Sequence, residues 1–330
     1  MAKTLEDLAE SRRYRAEVLN YFGNSGVPES ILRHDRSDRA IDLMVTDGDR
    51  DYGSTGGNDI YLRGHHIASF EISGRGVRFG ALSRFPQSVG RTLLLLYSLP
   101  GDTVVDPFAG HNSRMELCWR SNRNYIGCDI SHEFMCANIA IRDMLREEKS
   151  TDLFGEHFKG KITLFECDSR TMPIRSNTGD FTITSPPYWD LEHYGDEPGQ
   201  IGTGKTYDEF LQGLSDIMKE NFRTLKPGAF AVWCVNDFRK DKKFYSYHEH
   251  TAQLLRDAGF DHHDTCITDL GNSMHSAFVS RLLELKILAK RHEYCLIMRK
   301  PCADAIVEKV NGMIAVDRSK PPIIDPGALL

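Results

Sequence analysis

Residues 101–110 read Gly-Asp-Thr-Val-Val-Asp-Pro-Phe-Ala-Gly. The run Thr103-Val104-Val105 is β-branched and apolar, which favours a strand, and Asp106-Pro107 ends it because proline removes a ladder donor. Ala109-Gly110 then supplies a turn, and the pattern from about Arg114 to Arg120 has a helical period. Strand, glycine turn and helix in this order form the context in which a glycine loop can hold a ligand. A second strand, Asn124-Tyr-Ile-Gly-Cys, ends in Asp129, nineteen residues after Gly110. Alternation of this kind predicts a parallel, doubly wound α/β sheet.

Residues 180–190, Asp-Phe-Thr-Ile-Thr-Ser-Pro-Pro-Tyr-Trp-Asp, form the other informative stretch. A buried strand runs into Ser185 and stops at two prolines, whose rings fix φ and aim the Ser185 hydroxyl and nearby carbonyls outward. Rigid acceptors beside the aromatic ring of Tyr188 suit an exocyclic amine on a nucleobase. Alone, Pro-Pro-Tyr reads equally well as a loop or a polyproline ligand. Asp129, at the end of the second strand, stands where a nucleoside ribose would find a carboxylate.

The strings DPFAG, YIGCDIS, CDSRTMP and TSPPYWDLEHYG, in this order over roughly residues 80–300, resemble the amino-methyltransferases that use S-adenosylmethionine to methylate cytosine N4 or adenine N6 in DNA. The resemblance implies a seven-stranded Rossmann-like methyltransferase sheet. It implies a catalytic turn of Ser185, Pro186, Pro187 and Tyr188, with Trp189 second to these for stacking or core packing. Cofactor contacts would come from Phe85, Pro86, Asp106, Pro107, Phe108, Ala109, Gly110, Asp129, Ile130, Asp168 and Ser169. Asp168 would accept from the adenine amine of the cofactor, although an aspartate there also stabilises turns. Serine at position 185 goes more often with cytosine N4 in the family, with adenine N6 as the alternative. The loop departs from the usual Gly-x-Gly by carrying Asn112, which tolerates positive φ better than most residues.

Composition sets the bounds. The chain has 330 residues, 40% hydrophobic and 27% charged, and eight cysteines without a C-x-x-C pair. These read as free thiols in a reducing compartment, with no disulfide framework and no zinc site, so a cytoplasmic protein is expected. Apolar runs such as Leu93 to Tyr97 are far too short for a bilayer, and no signal peptide is read. A net charge of −6 excludes only uniform basicity. Among several basic clusters, Arg239, Lys240, Lys242 and Lys243 follow a strand end on the edge that carries the motifs, and are expected to meet phosphates; the bland alternative is a solvated surface.

Three segments are expected. Residues 1–80 form an N-terminal extension with a helix over 4–22, a polar loop over 23–58 and a hairpin of 59–62 with 66–72, available for DNA or for a homodimer contact. Residues 81–300 form the catalytic domain, and 301–330 a tail without a period. The expected partner is DNA, with RNA less favoured and a catalytically degenerate nucleic-acid-binding protein as a reading from another class. No separate target-recognition domain is apparent.

Overall fold

The computed structural model describes residues 30–33, 59–62, 65–69, 85, 87–110, 113–147, 160–191, 194–202, 204–269, 279–302, 307–310 and 313–316. The expected 4–22 helix, Pro86, His111 and Asn112 lie outside these residues. Strands are Ile31–Arg33 (β1), Asp59–Leu62 (β2), His65–Ser69 (β3), Thr103–Asp106 (β4), Asn124–Asp129 (β5), Ile162–Glu166 (β6) and Gly179–Thr184 (β7). There follow Leu225–Val235 (β8), Phe238–Lys240 (β9), Lys243–Tyr245 (β10), Asp261–Asp269 (β11), His292–Arg299 (β12), Val307–Val310 (β13) and Met313–Val316 (β14). The α-helices are Gln87–Tyr97 (α1), Ser113–Arg120 (α2), His132–Glu147 (α3), Tyr207–Thr224 (α4), Tyr247–Asp257 (α5) and Val279–Glu284 (α6).

Eight strands make one sheet in the order β1-β11-β12-β8-β7-β4-β5-β6. All neighbours run parallel except β12, which is antiparallel to both β11 and β8. Seven of these make up the seven-stranded sheet that the resemblance implies, and the sheet is the doubly wound Rossmann-like form. The eighth is a correction: Ile31–Arg33, in a stretch expected to be loop, pairs with Ile267–Asp269 at the edge. β2 and β3 form the expected hairpin, with His65 in the strand rather than in the turn.

Strand periodicity explains how both faces are covered. On β8, Val232 and Cys234 join the cluster built with Val89, Leu93, Met115 and Leu117 of α1 and α2. Their alternates Ala231, Trp233 and Val235 join Phe210, Leu214, Met218 and Leu255 of α4 and α5. Side chains two apart share a face, so each strand of a sheet covered on both sides must be apolar at nearly every position. Val104, Val105, Phe181 and Ile183 are accordingly fully buried. The chain runs β4, β5, β6 to one side and returns through β7 to the other, which makes the carboxyl end of β4 and β7 a topological switch point, where ligands of such sheets bind.

Among the described residues no helix is long and apolar enough to cross a membrane. No group of three or more His, Cys, Asp or Glu among them could hold a metal ion.

α4 begins with a capping box of Thr206 and Glu209: Thr206 N–H donates to Glu209 Oε2 at 2.7 Å and the Glu209 N–H donates to Thr206 Oγ1 at 3.3 Å. Replacing such a cap by alanine costs about 1 kcal/mol. Thr206→Ala is therefore expected to lower the urea midpoint with an unchanged denaturant slope, and Thr206→Ser to leave it near that of the parent.

Candidate active site

Asp106 closes β4 and is fully buried, so its carboxylate must be paired inside the protein. Arg114 Nε of α2 donates to Oδ2 at 2.6 Å and Tyr125 Oη of β5 to the same oxygen at 2.8 Å. Thr184 Oγ1 of β7 donates to Oδ1 at 2.6 Å, and the Phe108 N–H reaches it at 3.2 Å. Arg114 also donates to the carbonyls of Phe108 and Ala109. One carboxylate thus fixes the turn after β4 to β5, β7 and α2.

Above this network the carboxyl ends of β4, β5, β6 and β7 line a cleft with about 1080 Å³ of empty space, part of it open to solvent. Pro107, Phe108 and Gly110 line it from the first turn, Asp129 and Ile130 from the second, Asp168 and Ser169 from the third, and Ser185 to Tyr188 from the fourth. Phe85 forms an apolar wall with the Arg114 guanidinium 5.5 Å from its ring centroid. Twelve of the residues singled out in the sequence thus converge on one space. Asp106 and Ala109 sit behind it: Ala109 is buried, and its N–H donates to the Cys128 carbonyl at 2.9 Å.

Each rim residue is held by specific bonds. Gly110 has φ +45°, and its N–H donates to Asp129 Oδ2 at 2.8 Å, while the Ser131 N–H donates to Oδ1 at 2.9 Å. Each carboxylate oxygen therefore keeps a lone pair for a ligand. Burial pushes the Asp129 carboxyl up to about 6, against the lowering effect of these two N–H groups. Asp168 caps a short 3₁₀ turn, Ser169–Thr171, and both of its oxygens accept from Arg170. Burial alone would raise its pKa, but the Arg170 bonds outweigh that and hold it below the usual value. The Ser169 hydroxyl donates to the Pro107 carbonyl at 2.6 Å, joining the first and third turns.

The Ser185 hydroxyl has no hydrogen-bond partner among the described residues, whereas the Pro187 carbonyl accepts from Tyr247 Oη at 3.0 Å. Tyr188 Oη donates to Glu293 Oε1 at 3.0 Å. Trp189 turns away from the cleft with φ +49°, against the rings of Tyr207, Phe238 and Tyr245, with its Nε1–H on the Lys205 carbonyl. Gly202 leaves room for this turn, since a Cβ there would lie 2.5 Å from the Trp189 carbonyl oxygen.

Arg239, Lys240, Lys242 and Lys243 lie outside the cleft on the hairpin β9–β10. Lys240 is bound to Asp190 and lies over the Trp189 ring, 4.5 Å from its centroid, which couples the hairpin to the end of the Ser185 turn. Lys290, from another basic cluster in the sequence, reaches the same hairpin and lies 5.1 Å from the Phe244 ring centroid, with Arg239 at 5.0 Å.

Several lining residues escaped the sequence reading: Ser113, Arg114, Phe134, Tyr194, Gln200, Ile201 and Glu293. Arg114 carried a signal, a cation inside a helix turn that is otherwise buried. Glu293 carried a weaker one, an acid at the head of an apolar strand. Tyr194 lay inside the TSPPYWDLEHYG string without a role assigned to it, and residues 196–201 carried no signal, because their place over the cleft depends on bonds such as Arg170 to the Gly199 carbonyl and the His132 N–H to Glu197.

Residues 80–140 match the family described as DNA methylase, of the N6/N4 type. The match covers 61 of the 330 residues. The Type II methyltransferase M.SmaI of Serratia marcescens is 35% identical over 66 residues, 20% of this chain and 22% of that protein. The Type II methyltransferase M.XycI of Xanthomonas campestris pv. cyanopsidis is 45% identical over 65 residues, 19% and 21% of the two chains. The chain thus spans about a fifth of the length of these curated relatives. A putative DNA modification methylase from Thermus thermophilus, solved with S-adenosyl-L-methionine, is 28% identical with a TM-score of 0.31, over 44% of this chain and 56% of that one.

Breaking a buried ion pair by removing one partner costs roughly 3–5 kcal/mol, because the other charge is left stranded. Asp106→Ala is expected to lose about that much unfolding free energy by chemical denaturation, whereas Asp129→Asn, at the rim, is expected to fold like the parent.

Proposed function

We propose that the chain is an S-adenosylmethionine-dependent DNA amino-methyltransferase that acts on an exocyclic base amine, cytosine N4 in preference to adenine N6. The observation that carries this reading is the Ser185 hydroxyl, left without an intramolecular partner among the described residues in the same cleft as the Asp129 carboxylate. The donor set fits the cofactor. Asp129 keeps acceptor capacity for two ribose hydroxyls, Ile130 and Phe85 offer apolar surface to the adenine and methionine ends, and Asp168 stands at the third turn for the adenine amine. When bound there, S-adenosylmethionine supplies an electrophilic methyl group on a sulfonium centre.

The chain's own residues then have positional tasks. The target base leaves the stack and enters beside Tyr188, whose hydroxyl is anchored by Glu293 so that its ring stays in place. The Ser185 hydroxyl and the Pro186 carbonyl accept hydrogens of the amine, which turns its lone pair out of conjugation with the ring. The nitrogen held in this way would take the methyl group from the sulfonium sulfur, and its surplus proton would pass to water. Proline-fixed acceptors need little reorganisation, and orientation of this kind supplies roughly 7–11 kcal/mol at its upper range. Arg239, Lys240, Lys242 and Lys243 are proposed phosphate contacts along the strand that delivers the base.

The test is to incubate the protein with labelled S-adenosylmethionine and either mixed-sequence DNA or total RNA, and to identify the methylated nucleoside by mass spectrometry. N4-methyldeoxycytidine is expected. N6-methyldeoxyadenosine moves the target to adenine, and label confined to ribonucleosides contradicts the DNA assignment.

Cofactor binding carries a pH signature. Asp129 accepts ribose hydroxyls best when ionised, and its raised pKa of about 6 means that the ionised form is lost as pH falls through that value. Calorimetry is expected to give a constant Kd above about pH 7 and a loss approaching tenfold per unit below about 6. Asp129→Asn should bind more weakly at about pH 8 and lose this dependence.

A further inference from the structure

Glu293 faces the Ser185–Tyr188 turn from β12, two strands away from β7 in the sheet, and holding Tyr188 does not use all of it. Its Oε1 accepts from Tyr188 Oη at 3.0 Å, and its Oε2 has no hydrogen-bond partner among the described residues although the residue lines the cleft. It stands near the start of the antiparallel strand β12, opposite Thr268, which brings it to the edge where the parallel strands end. A carboxyl aimed at a base pocket with one oxygen engaged and one open is a reader of hydrogen-bond pattern.

Resting on the methyl-transfer reading above, we infer that Glu293 is a specificity-determining residue whose protonated carboxyl donates from Oε2 to the ring nitrogen beside the target amine. Cytosine N3 and adenine N1 are acceptors next to an amine. Thymine N3 and guanine N1 carry a hydrogen, so two donors would face each other and one would be stranded, which costs more than a lost bond. Glu293 thus selects bases with an acceptor ring nitrogen beside the amine, cytosine and adenine, before Ser185 and Pro186 engage that amine.

The surroundings favour the neutral acid. Burial raises the Glu293 pKa, against smaller lowering effects from the Tyr188 hydroxyl and from Arg114. Tyr188 of the turn, Arg114 of α2, Cys234 of β8 and Cys295 of β12 are the titratable or charged groups near it. Arg114 is already committed to Asp106 at 2.6 Å. Cys234 and Cys295, free thiols hydrogen-bonded to each other and buried, titrate above the ordinary thiol range and bring no countercharge.

The test measures saturation transfer by NMR from the protein to dCMP, dAMP, TMP and dGMP in turn, from about pH 6.5 to about 9, alongside methyl transfer to mixed-sequence DNA. Transfer to dCMP or dAMP, absent for TMP and dGMP and fading as pH rises, supports the inference. Glu293→Gln keeps one donor and one acceptor at every pH, so it should fold, retain the preference and lose the fade. Glu293→Ala should lose about tenfold of the preference, because nothing then opposes the hydrogen on thymine N3 or guanine N1. Equal binding of all four nucleotides by the parent, or an unchanged preference in both variants, overturns it. A preference without any methyl transfer sinks the methyltransferase reading and leaves the base-edge assignment standing.

Discussion

The buried carboxylate of Asp106 is the constraint on which the cleft depends. It lies at the switch point of the sheet, fully removed from water, and four groups from four places in the chain converge on it. A carboxylate in such a place is strongly destabilising unless each partner is present and well placed. The same bonds therefore set the relative positions of the turn after β4, the end of β7, the start of α2 and strand β5. Stability and preorganisation are here a single interaction: Arg114 neutralises the charge and also pins the carbonyls of Phe108 and Ala109, which shape the turn beside Gly110.

A second layer is aromatic. The Ser185 turn does not float at the sheet edge; Pro187 is tied to Tyr247, Tyr188 to Glu293, and Trp189 into the cluster of Tyr207, Phe238 and Tyr245. The tight passage of the Trp189 carbonyl by Gly202 adds a steric limit on the same turn. The hairpin β9–β10, with its lysines and arginine, grows out of this cluster and is bound to Asp190 by Lys240. Charge that would meet a phosphate backbone is in this way mechanically continuous with the residues that would meet the base.

The strands were legible in the sequence because a sheet covered on both faces writes itself as β-branched apolar runs, and the prolines at 107, 186 and 187 mark where they stop. The spacing Thr206-x-x-Glu209 marks the start of α4 just as locally. β1 was not legible: three residues, Ile31 to Arg33, in a polar glycine-containing stretch become a strand only because β11 offers them an open edge. The rim residues that follow strand ends, such as Asp129 and Ser185, could be named from the motifs that contain them. Glu293 and residues 196–201 could not, since they reach the cleft through contacts with residues far away in the chain, 105 positions in the case of Tyr188 and Glu293. Sequence pattern reports which faces are buried; it does not report which distant carboxyl arrives beside a tyrosine.

The most direct test of the account is a crystal structure of the protein grown with S-adenosylmethionine. The account predicts both ribose hydroxyls within hydrogen-bond distance of the Asp129 carboxylate, Asp106 still enclosed by Arg114, Tyr125 and Thr184, and the methyl group directed toward the Ser185 hydroxyl. A cofactor bound away from Asp129, or one whose methyl group points away from the Ser185 turn, would contradict it.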